Sequence, residues 1–375
     1  MISPQPWTGM QVSKHHYARA LATLGHRVDF VEPPIREGGA GHLAVSVAEG
    51  EPNIRVVRYR PWFPYFIKFH APALFDIGMR RQARIIAAAT GPHEIVWDFD
   101  NNYQFNDLRA FDTPLRVMQL VDQVGAGRSG TRFADLVVAL DRAFIERVGA
   151  ESVENLVVPH GLNPWHAALA NRVIDSPAGR SRLPNEPWRV GYVGNLMMTS
   201  VDRQAILETV VSHPAVMFDF VSPVGPDEAG FGPNAYWLRQ LADCANVTIR
   251  TGCGPREIVA LADRIDAWML CYSLARDNNA GVNSHKMLEY LATGSPVLTS
   301  WLKPYEGSAM VVMASRGDNS AFPALLGQLL SEMEVHDVDG RRRARARFAL
   351  KHGYEHHVAT IAAAINALNH RRLAG

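Results

Sequence analysis

Short runs of apolar residues alternate with amphipathic stretches along the first half of the chain. The stretch Val12–Leu24 carries its large apolar side chains on one side and stops at Gly25, which predicts a helix. Several of the short runs are apolar nearly throughout, as expected for parallel strands that helices cover on both faces. The predicted strands are Val28–Val31, Ile54–Arg58, Glu94–Phe99, Leu115–Val121, Asp135–Leu140 and Asn155–Val158.

The second half repeats this alternation after a break. Residues 175–187 are rich in Pro, Ser, Arg and Gly, which indicates an interdomain linker. We therefore expect two Rossmann-like α/β domains, residues 1–174 and 188–345, with ligands at the carboxyl ends of the strands and a last segment at 346–375. The predicted strands of the second domain are Trp188–Gly194, Val216–Val221, Val247–Arg250, Ala267–Tyr272, Pro296–Ser300 and Met310–Ala314.

Two stretches near the ends of the chain need separate interpretation. Met1–Pro4 resembles the end of a strand whose beginning is missing; either this strand is short or the start was assigned late, and we favour the second. Arg341–Arg347 is strongly basic but lies in an alanine-rich helical stretch, so we expect a solvated helix face. The last helix is predicted at about His356–Leu368.

Composition narrows the class of protein. With 47% hydrophobic and 20% charged residues, the 375-residue chain is typical of a globular protein with two cores. Its net charge of +1 gives no reason to expect a nucleic-acid partner. Three cysteines without paired spacing indicate reduced thiols in the cytoplasm and no zinc site. No apolar run approaches the length of a membrane span, and no signal peptide opens the chain.

Residues 283–297 form the most informative motif. They predict a short helix with a polar cap at Asn283 or Ser284, a stop at Gly294 and a strand directly after it. Lys286 lies in the first turn, where free backbone N–H groups and the helix dipole favour an anion. Glu289 follows three residues later on a neighbouring part of the same face. A phosphate at the helix start and a hydroxyl-binding carboxylate one turn on would suit a nucleotide diphosphate with its ribose.

This motif resembles the donor-binding helix of GT-B glycosyltransferases, in the subset whose signature is roughly K-x-x-E-Y-L-A-x-G-x-P-V. The resemblance implies that Lys286 contacts the diphosphate of a nucleotide sugar and Glu289 holds the ribose. It also implies a GT-B fold, with the last helix packed on the first domain and Pro159–Pro164 as the turn that closes that domain. The remaining candidate donor contacts are Asn283, Ser284, Gly194, Asn195 and Tyr272, with backbone N–H groups of the Gly194–Asn195 turn facing the diphosphate.

The sequence departs from the pattern of many retaining relatives. The loop after Asn195 lacks their Arg and Lys, and Gly281 stands where the first glutamate of their E-x₇-E motif would fall. Both departures favour inverting relatives such as the xanthan glucuronosyltransferase. In those relatives an aspartate of the first domain is the general base, and Asp122 is the best match, although it could equally cap a turn after a buried strand. Asp98 and Asp100 are the reserve candidates.

Asp98-Phe99-Asp100 also matches the D-x-D motif with which GT-A enzymes hold a metal, but such tripeptides are common by chance. Because a GT-A enzyme would have no second Rossmann half with a donor helix, we expect no metal and no other cofactor. Between the first strand and helix, Gly9, Lys14 and His15 are candidates for acceptor or cleft contact. The histidines there are more typical of a polar helix start than of catalysis.

Residues Tyr59–His70 concentrate aromatic and cationic side chains in a proline-broken stretch. The Trp62–Phe69 region would suit a membrane headgroup zone or a lipid-linked acceptor, or it could simply pack under a long loop.

Taken with the resemblance, these features predict a metal-independent glycosyltransferase of the inverting type. It would move a sugar from a UDP- or GDP-linked donor to a glycan or lipid-linked acceptor in envelope or exopolysaccharide assembly. It would work in the cytoplasm, and association with the inner face of the plasma membrane stays open. A nucleotide-sugar 2-epimerase of the same fold and an inactive nucleotide-sugar-binding protein stay open as alternatives.

Overall fold

The structure is a computed structural model that describes residues 1–8, 11–36, 42–100, 104–121, 131, 133–179, 181–183, 185–277 and 284–374. The chain forms two compact units. Unit 1 comprises Met1–Pro159 and Tyr354–Gly375, and unit 2 comprises His160–Gly353.

Unit 1 is built on a largely parallel sheet. Its strands are β1 Val28–Val31, β2 His42–Ala48, β3 Glu51–Arg60, β4 Ile95–Asp98, β5 Leu115–Leu120, β6 Leu136–Ala139 and β7 Asn155–Val157. Its helices are α1 Ser13–Thr23, α2 Ile67–His70, α3 Pro72–Thr90, α4 Arg142–Arg147 and α13 Tyr354–Ala374. β1 and β6 are buried throughout, as expected for strands covered on both faces. All six strands predicted in this half are confirmed, with ends that differ by a few residues.

The segment Met1–Ser3 joins the two parts of this sheet, because the Met1 carbonyl and the Ser3 amide bond to Val31 on one side and Ile2 bonds to the end of β4 on the other. Strands run in the orders β1-β3-β2 and β4-β5-β6-β7, and Ile2 makes parallel bridges to Val31 of β1 and Asp98 of β4. The Ile2 amide donates to the Trp97 carbonyl at 2.8 Å, and its carbonyl accepts from the Phe99 amide at 2.9 Å. Ile2 therefore forms isolated bridges at the centre of the unit 1 sheet, between β1 and β4.

The sequence analysis missed strand β2 of unit 1 but predicted its last helix. Strand β2, which pairs antiparallel with β3, was not predicted; it is half-exposed along most of its length. The last helix was predicted, and it packs on α1 of the same unit. Tyr354, Val358 and Ile361 of α13 share a buried cluster with Tyr17 of α1.

Unit 2 is a parallel sheet with the order β10-β9-β8-β11-β12-β13. Its strands are β8 Arg189–Val193, β9 Met217–Val221, β10 Val247–Arg250, β11 Ala267–Leu270, β12 Val297–Thr299 and β13 Val312–Met313. Its helices are α5 Pro164–Asp175, α6 Arg203–Ser212, α7 Pro233–Ala242, α8 Pro255–Ala262, α9 His285–Ala292, α10 Phe322–Ser331, α11 Met333–His336 and α12 Asp339–Leu350. The chain leaves β8 towards β9 and later returns on the other side as β11, so the topological switch point lies between β8 and β11.

The two units begin and end at other residues than the sequence analysis expected. Helix α5 precedes the expected boundary at residue 174, yet it packs on α8, α9 and α12 of unit 2. The whole of α12 belongs to unit 2 as well, and the return to unit 1 begins at Tyr354 rather than at residue 346.

The expectation of a solvated basic face on α12 is wrong for two arginines. Arg342 and Arg345 are buried, because their guanidinium groups bind backbone carbonyls beneath the helix. Arg345 donates to the Gly294 carbonyl at 2.8 Å, and Arg342 donates to the Thr293 carbonyl at 3.2 Å. Burial lowers the pKa of Arg345 to about 10. Both cations thus stabilise the carboxyl end of α9, where the helix dipole is negative.

Candidate functional site

Helix α9 places its residues as the motif predicted. Met287, Leu288 and Leu291 are buried in the unit 2 core. Ser284 is the extended N-cap residue, although its side chain makes no capping hydrogen bond. The helix stops before Gly294, whose φ of +74° favours glycine and where an added Cβ would lie 2.7 Å from a methyl carbon of Val173. This packing fixes the start of α9 at the switch point of unit 2.

Lys286 is a buried cation at that point. Only 7% of its surface is exposed, and its Nζ donates to the Tyr272 hydroxyl at 2.9 Å. The Nζ also lies 5.7 Å and 5.5 Å from the ring centroids of Tyr192 and Tyr272. Burial lowers the pKa of Lys286, but the two tyrosines and Glu289 outweigh that effect and raise it above its usual value. The side chain therefore carries a positive charge at neutral pH.

No described carboxylate forms an ion pair with Lys286, and Glu289 acts on its charge only from beyond ion-pair distance. Among the described residues, no Asp or Glu oxygen lies within 4.0 Å of the Lys286 Nζ. An ammonium group has three N–H donors, and the hydrogen bond to Tyr272 uses one of them. A buried charge is costly without a counter-ion, so the arrangement favours an anionic ligand.

Gly194 lies directly against Lys286. It follows β8 with a φ of +152°, and an added Cβ would lie 2.2 Å from the Lys286 Nζ. The lysine can therefore cross the turn only because residue 194 lacks a side chain. The Gly194 N–H, however, donates to the Val221 carbonyl at 2.8 Å and continues the β8–β9 ladder. The expectation that the Gly194 N–H faces a ligand is therefore wrong. The next residue, Asn195, accepts a hydrogen bond from the Met197 backbone amide through its side-chain oxygen at 2.9 Å.

Tyr290 holds the end of β8 from the side of α9. Its hydroxyl accepts from the Val193 amide at 2.8 Å and donates to the Val193 carbonyl at 3.2 Å. Its ring stacks on Trp268 of β11, with centroids 4.8 Å apart and planes at 9°. Strands β8 and β11 pair only as far as Gly191 and Trp268. Beyond that point the Tyr290 hydroxyl makes the hydrogen bonds to β8 that a neighbouring strand would make. The sequence analysis did not give Tyr290 a role.

Glu289 is held by a residue 126 positions away. Its Oε1 accepts from the Asn163 amide at 2.7 Å, while the Asn163 Oδ1 accepts from the His166 amide at 3.0 Å and caps α5. Burial raises the pKa of Glu289, and His285, Lys286 and Asn163 partly offset that rise. No described residue donates to the second oxygen of this half-buried carboxylate, which leaves that oxygen for another donor. The sequence analysis placed Asn163 in a turn and missed this contact.

Two candidates of unit 1, Lys14 and His15, are buried side chains of α1. His15 is fully buried between Trp7 and Phe30, with ring centroids 5.5 Å and 5.1 Å away. Its Nδ1 accepts from the Val12 amide at 3.2 Å, and its Nε2 is 2.9 Å from the Pro6 carbonyl. Burial lowers the pKa of His15. Both ring nitrogens therefore contact backbone groups. The expectation of a polar residue at a helix start is wrong for His15, because α1 packs this face into the core of unit 1. Lys14 is buried too.

Asp98 and Asp100 are buried at the carboxyl end of β4. The Asp100 amide donates to the Asp98 carboxylate at 2.8 Å, and burial and the neighbouring Asp100 charge raise the pKa of Asp98. Among the described residues, no group of three or more His, Cys, Asp or Glu is arranged to hold a metal. Asp122, Gly9 and Asn283 lie outside the described residues.

Solved structures resemble the chain over nearly its whole length. No protein-family model and no curated protein sequence matches it. Sucrose-phosphate synthase from Thermosynechococcus elongatus is 15% identical with a TM-score of 0.62, covering 100% of this chain and 98% of that chain. A UDP-forming α,α-trehalose-phosphate synthase from Burkholderia vietnamiensis is 14% identical with a TM-score of 0.63 and 98% coverage of both. HepE from Anabaena, in complex with UDP and glucose, is 12% identical with a TM-score of 0.59, covering 96% and 98%.

The chain has the GT-B fold. The two α/β units with parallel sheets and the last helix returned to unit 1 agree with the likeness to these structures. Within this GT-B fold, Lys286, Gly194 and Tyr290 meet at the switch point of unit 2.

Proposed function

We propose that this protein is a glycosyltransferase that takes its sugar from a UDP- or GDP-linked donor. The observation that carries the proposal is the buried Lys286 ammonium, which has no carboxylate partner among the described residues and lies at the switch point of unit 2. Two structures of the same fold support the choice of ligand. HepE contains UDP and glucose, and a trehalose-6-phosphate structure from E. coli contains UDP-2-fluoro glucose.

Each candidate residue has a part in this proposal. The Lys286 ammonium binds the donor diphosphate and stabilises the charge that develops as the diphosphate leaves. The free oxygen of Glu289 accepts from the ribose hydroxyls, while Asn163 fixes the other oxygen. Asp122, which follows β5 in the sequence, removes the proton from the acceptor hydroxyl as that oxygen attacks the anomeric carbon. A single displacement of this kind inverts the anomeric configuration.

The acceptor and cellular role extend the proposal. The absence of Arg and Lys from the loop Asn195–Ser200 supports kinship with inverting exopolysaccharide enzymes such as the xanthan glucuronosyltransferase. We therefore propose a glycan or lipid-linked acceptor in envelope or exopolysaccharide assembly, and contact of the Trp62–Phe69 region with the inner face of the plasma membrane. Within the described part of the chain, no helix is long and apolar enough to cross a bilayer.

One pair of residues favours the second candidate, a nucleotide-sugar 2-epimerase. The rings of His160 and His285 lie 5.8 Å apart in unit 2, and His285 is on the same helix as Glu289. An epimerase moves protons at the sugar, and such work requires acid–base groups of this kind.

One incubation separates the candidates. The protein is mixed with membrane extract and a panel of UDP- and GDP-sugars, and the products are resolved by chromatography and mass spectrometry. A transferase releases nucleoside diphosphate in step with a glycosylated acceptor, and an epimerase changes the sugar of the intact donor. If neither product forms while a nucleotide sugar still raises the melting temperature, the chain is an inactive binder. We expect transfer to persist in excess EDTA; loss of transfer with rescue by manganese would contradict metal independence.

A further inference from the structure

Five large apolar side chains of unit 1 face solvent in one continuous part of the chain. They precede or lie on α2 and the first turns of α3, and we call them the α2–α3 patch. Their exposed fractions are 53% for Trp62, 61% for Phe66, 71% for Phe69, 63% for Leu74 and 60% for Ile77. Single exposed apolar residues need no explanation, but a cluster of this kind marks a surface that binds something.

The patch is held firmly on the core of unit 1. Phe75 of α3 is buried, and the rings of Phe63 and Tyr65 meet it edge-on, each with centroids 5.7 Å away. Gly78 makes room for this packing, because an added Cβ there would lie 2.4 Å from the Phe63 ring. The alternative that the aromatics only pack under a loop therefore holds for Phe63 and Tyr65. It does not hold for the α2–α3 patch.

The charges around the patch are positive. Residues 61–92 contain four Lys or Arg side chains and one acidic side chain, and Arg80 pairs with Asp107 at 3.7 Å; with Asp107 included, the net charge is +2 with neutral histidine. The Arg81 guanidinium lies 5.1 Å from the Trp62 ring centroid, and Arg84 is exposed one turn further on. The acidic residue, Asp76, already accepts a hydrogen bond from Asn106 at 2.8 Å. Leu74, Ile77, Arg81 and Arg84 follow at i, i+3, i+7 and i+10, so the apolar turns of α3 continue into cationic turns on one face.

We propose that the α2–α3 patch docks on an anionic membrane surface. Exposed aromatic and aliphatic side chains beside Lys and Arg suit the boundary between headgroups and acyl chains, where the apolar groups enter and the cations meet lipid phosphates. A second copy of this chain is a poorer occupant, because its patch would carry the same net positive charge. This inference deepens the proposed function by bringing unit 1 to a lipid-linked acceptor, but membrane docking needs no bound nucleotide.

The test is co-sedimentation of the full chain with vesicles. Wild-type protein should bind vesicles of phosphatidylglycerol and phosphatidylcholine, bind pure phosphatidylcholine vesicles much less, and dissociate as salt is added. Phe66→Ser combined with Phe69→Ser should weaken binding by at least about tenfold, since two exposed phenyl groups no longer enter the bilayer. Arg81→Glu should weaken binding only to the anionic vesicles.

Phe231→Ser is the matched control, because Phe231 of unit 2 is a phenylalanine with a relative exposure of 101%. It should bind vesicles as the wild type does. The docking inference fails if the wild type does not sediment with anionic vesicles, or if Phe231→Ser is as damaging as the double variant. It also fails if ultracentrifugation shows a dimer that the double variant abolishes. UDP affinity is measured separately: loss of vesicle binding alone overturns docking, and absence of UDP binding alone overturns the proposed donor site.

Discussion

Replacing Tyr290 with phenylalanine tests how the site is held together. The substitution keeps the ring stacked on Trp268 and removes only the hydroxyl, which makes hydrogen bonds of 2.8 Å and 3.2 Å to Val193. Each hydrogen bond contributes about 0.5–1.5 kcal/mol net to stability, and the half-buried Val193 groups regain part of that from water. We therefore expect the free energy of unfolding to fall by about 1–2 kcal/mol. In a unit of this size that lowers the melting temperature by about 3–6 °C.

The effect on ligands distinguishes a positioning role from a purely structural one. Val193 precedes Gly194, on which Lys286 rests, so a relaxed strand end displaces the diphosphate contact more than the ribose contact. We expect UDP affinity to fall about five- to tenfold by calorimetry, or about 1–1.4 kcal/mol, while uridine affinity changes little.

Tyr59→Phe is the control, because Tyr59 is also fully buried and its hydroxyl has no hydrogen-bond partner among the described residues. It should leave both ligands unaffected. The reasoning is refuted if Tyr290→Phe behaves like this control, or if uridine and UDP lose affinity equally.

Three further substitutions test the other proposed residue roles. Gly194→Ala should weaken UDP at least about tenfold with an unchanged circular dichroism spectrum, because the new methyl group occupies the place of the Lys286 Nζ; unchanged affinity would show that the lysine does not need this turn. Glu289→Gln should weaken uridine and UDP by the same factor in calorimetry, since both contain the ribose, and a loss confined to UDP would contradict the ribose role. Asp122→Asn should lower turnover about a hundredfold or more with donor affinity retained. Near-full turnover, or NMR evidence of a retained anomeric configuration, would exclude Asp122 as an inverting base.

Local sequence patterns predicted most of the fold because its strands are short, apolar and bounded by turn residues. The predicted strands of unit 2 all form, and α9 occupies the stretch between its polar cap and Gly294. Strand β2 escaped prediction because it is half-exposed and pairs with its neighbour instead of entering the core.

What the sequence could not predict are contacts between distant residues. Asn163 reaches Glu289 across 126 positions, and Tyr290 reaches back to Val193 across 97 positions. Arg345 was likewise expected to be a solvated charge, because its contact with the Gly294 carbonyl exists only in the folded chain. Each of these residues acts through a backbone or side-chain group that is adjacent only in the folded chain. For Tyr290, the signal was its place in the K-x-x-E-Y-L-A motif, which the sequence analysis used only as part of a resemblance.

The most direct test of the donor site compares UDP and uridine binding in Lys286→Met, which keeps an unbranched side chain and removes the charge. Lys351→Met, an exposed lysine of the same unit, is the matched control. If the buried ammonium binds the diphosphate, calorimetry should show UDP affinity falling at least about thirtyfold in Lys286→Met, or about 2 kcal/mol, with uridine affinity nearly unchanged and the control unaffected. Equal losses for UDP and uridine, or undiminished UDP binding, would contradict the assignment of Lys286 to the phosphates.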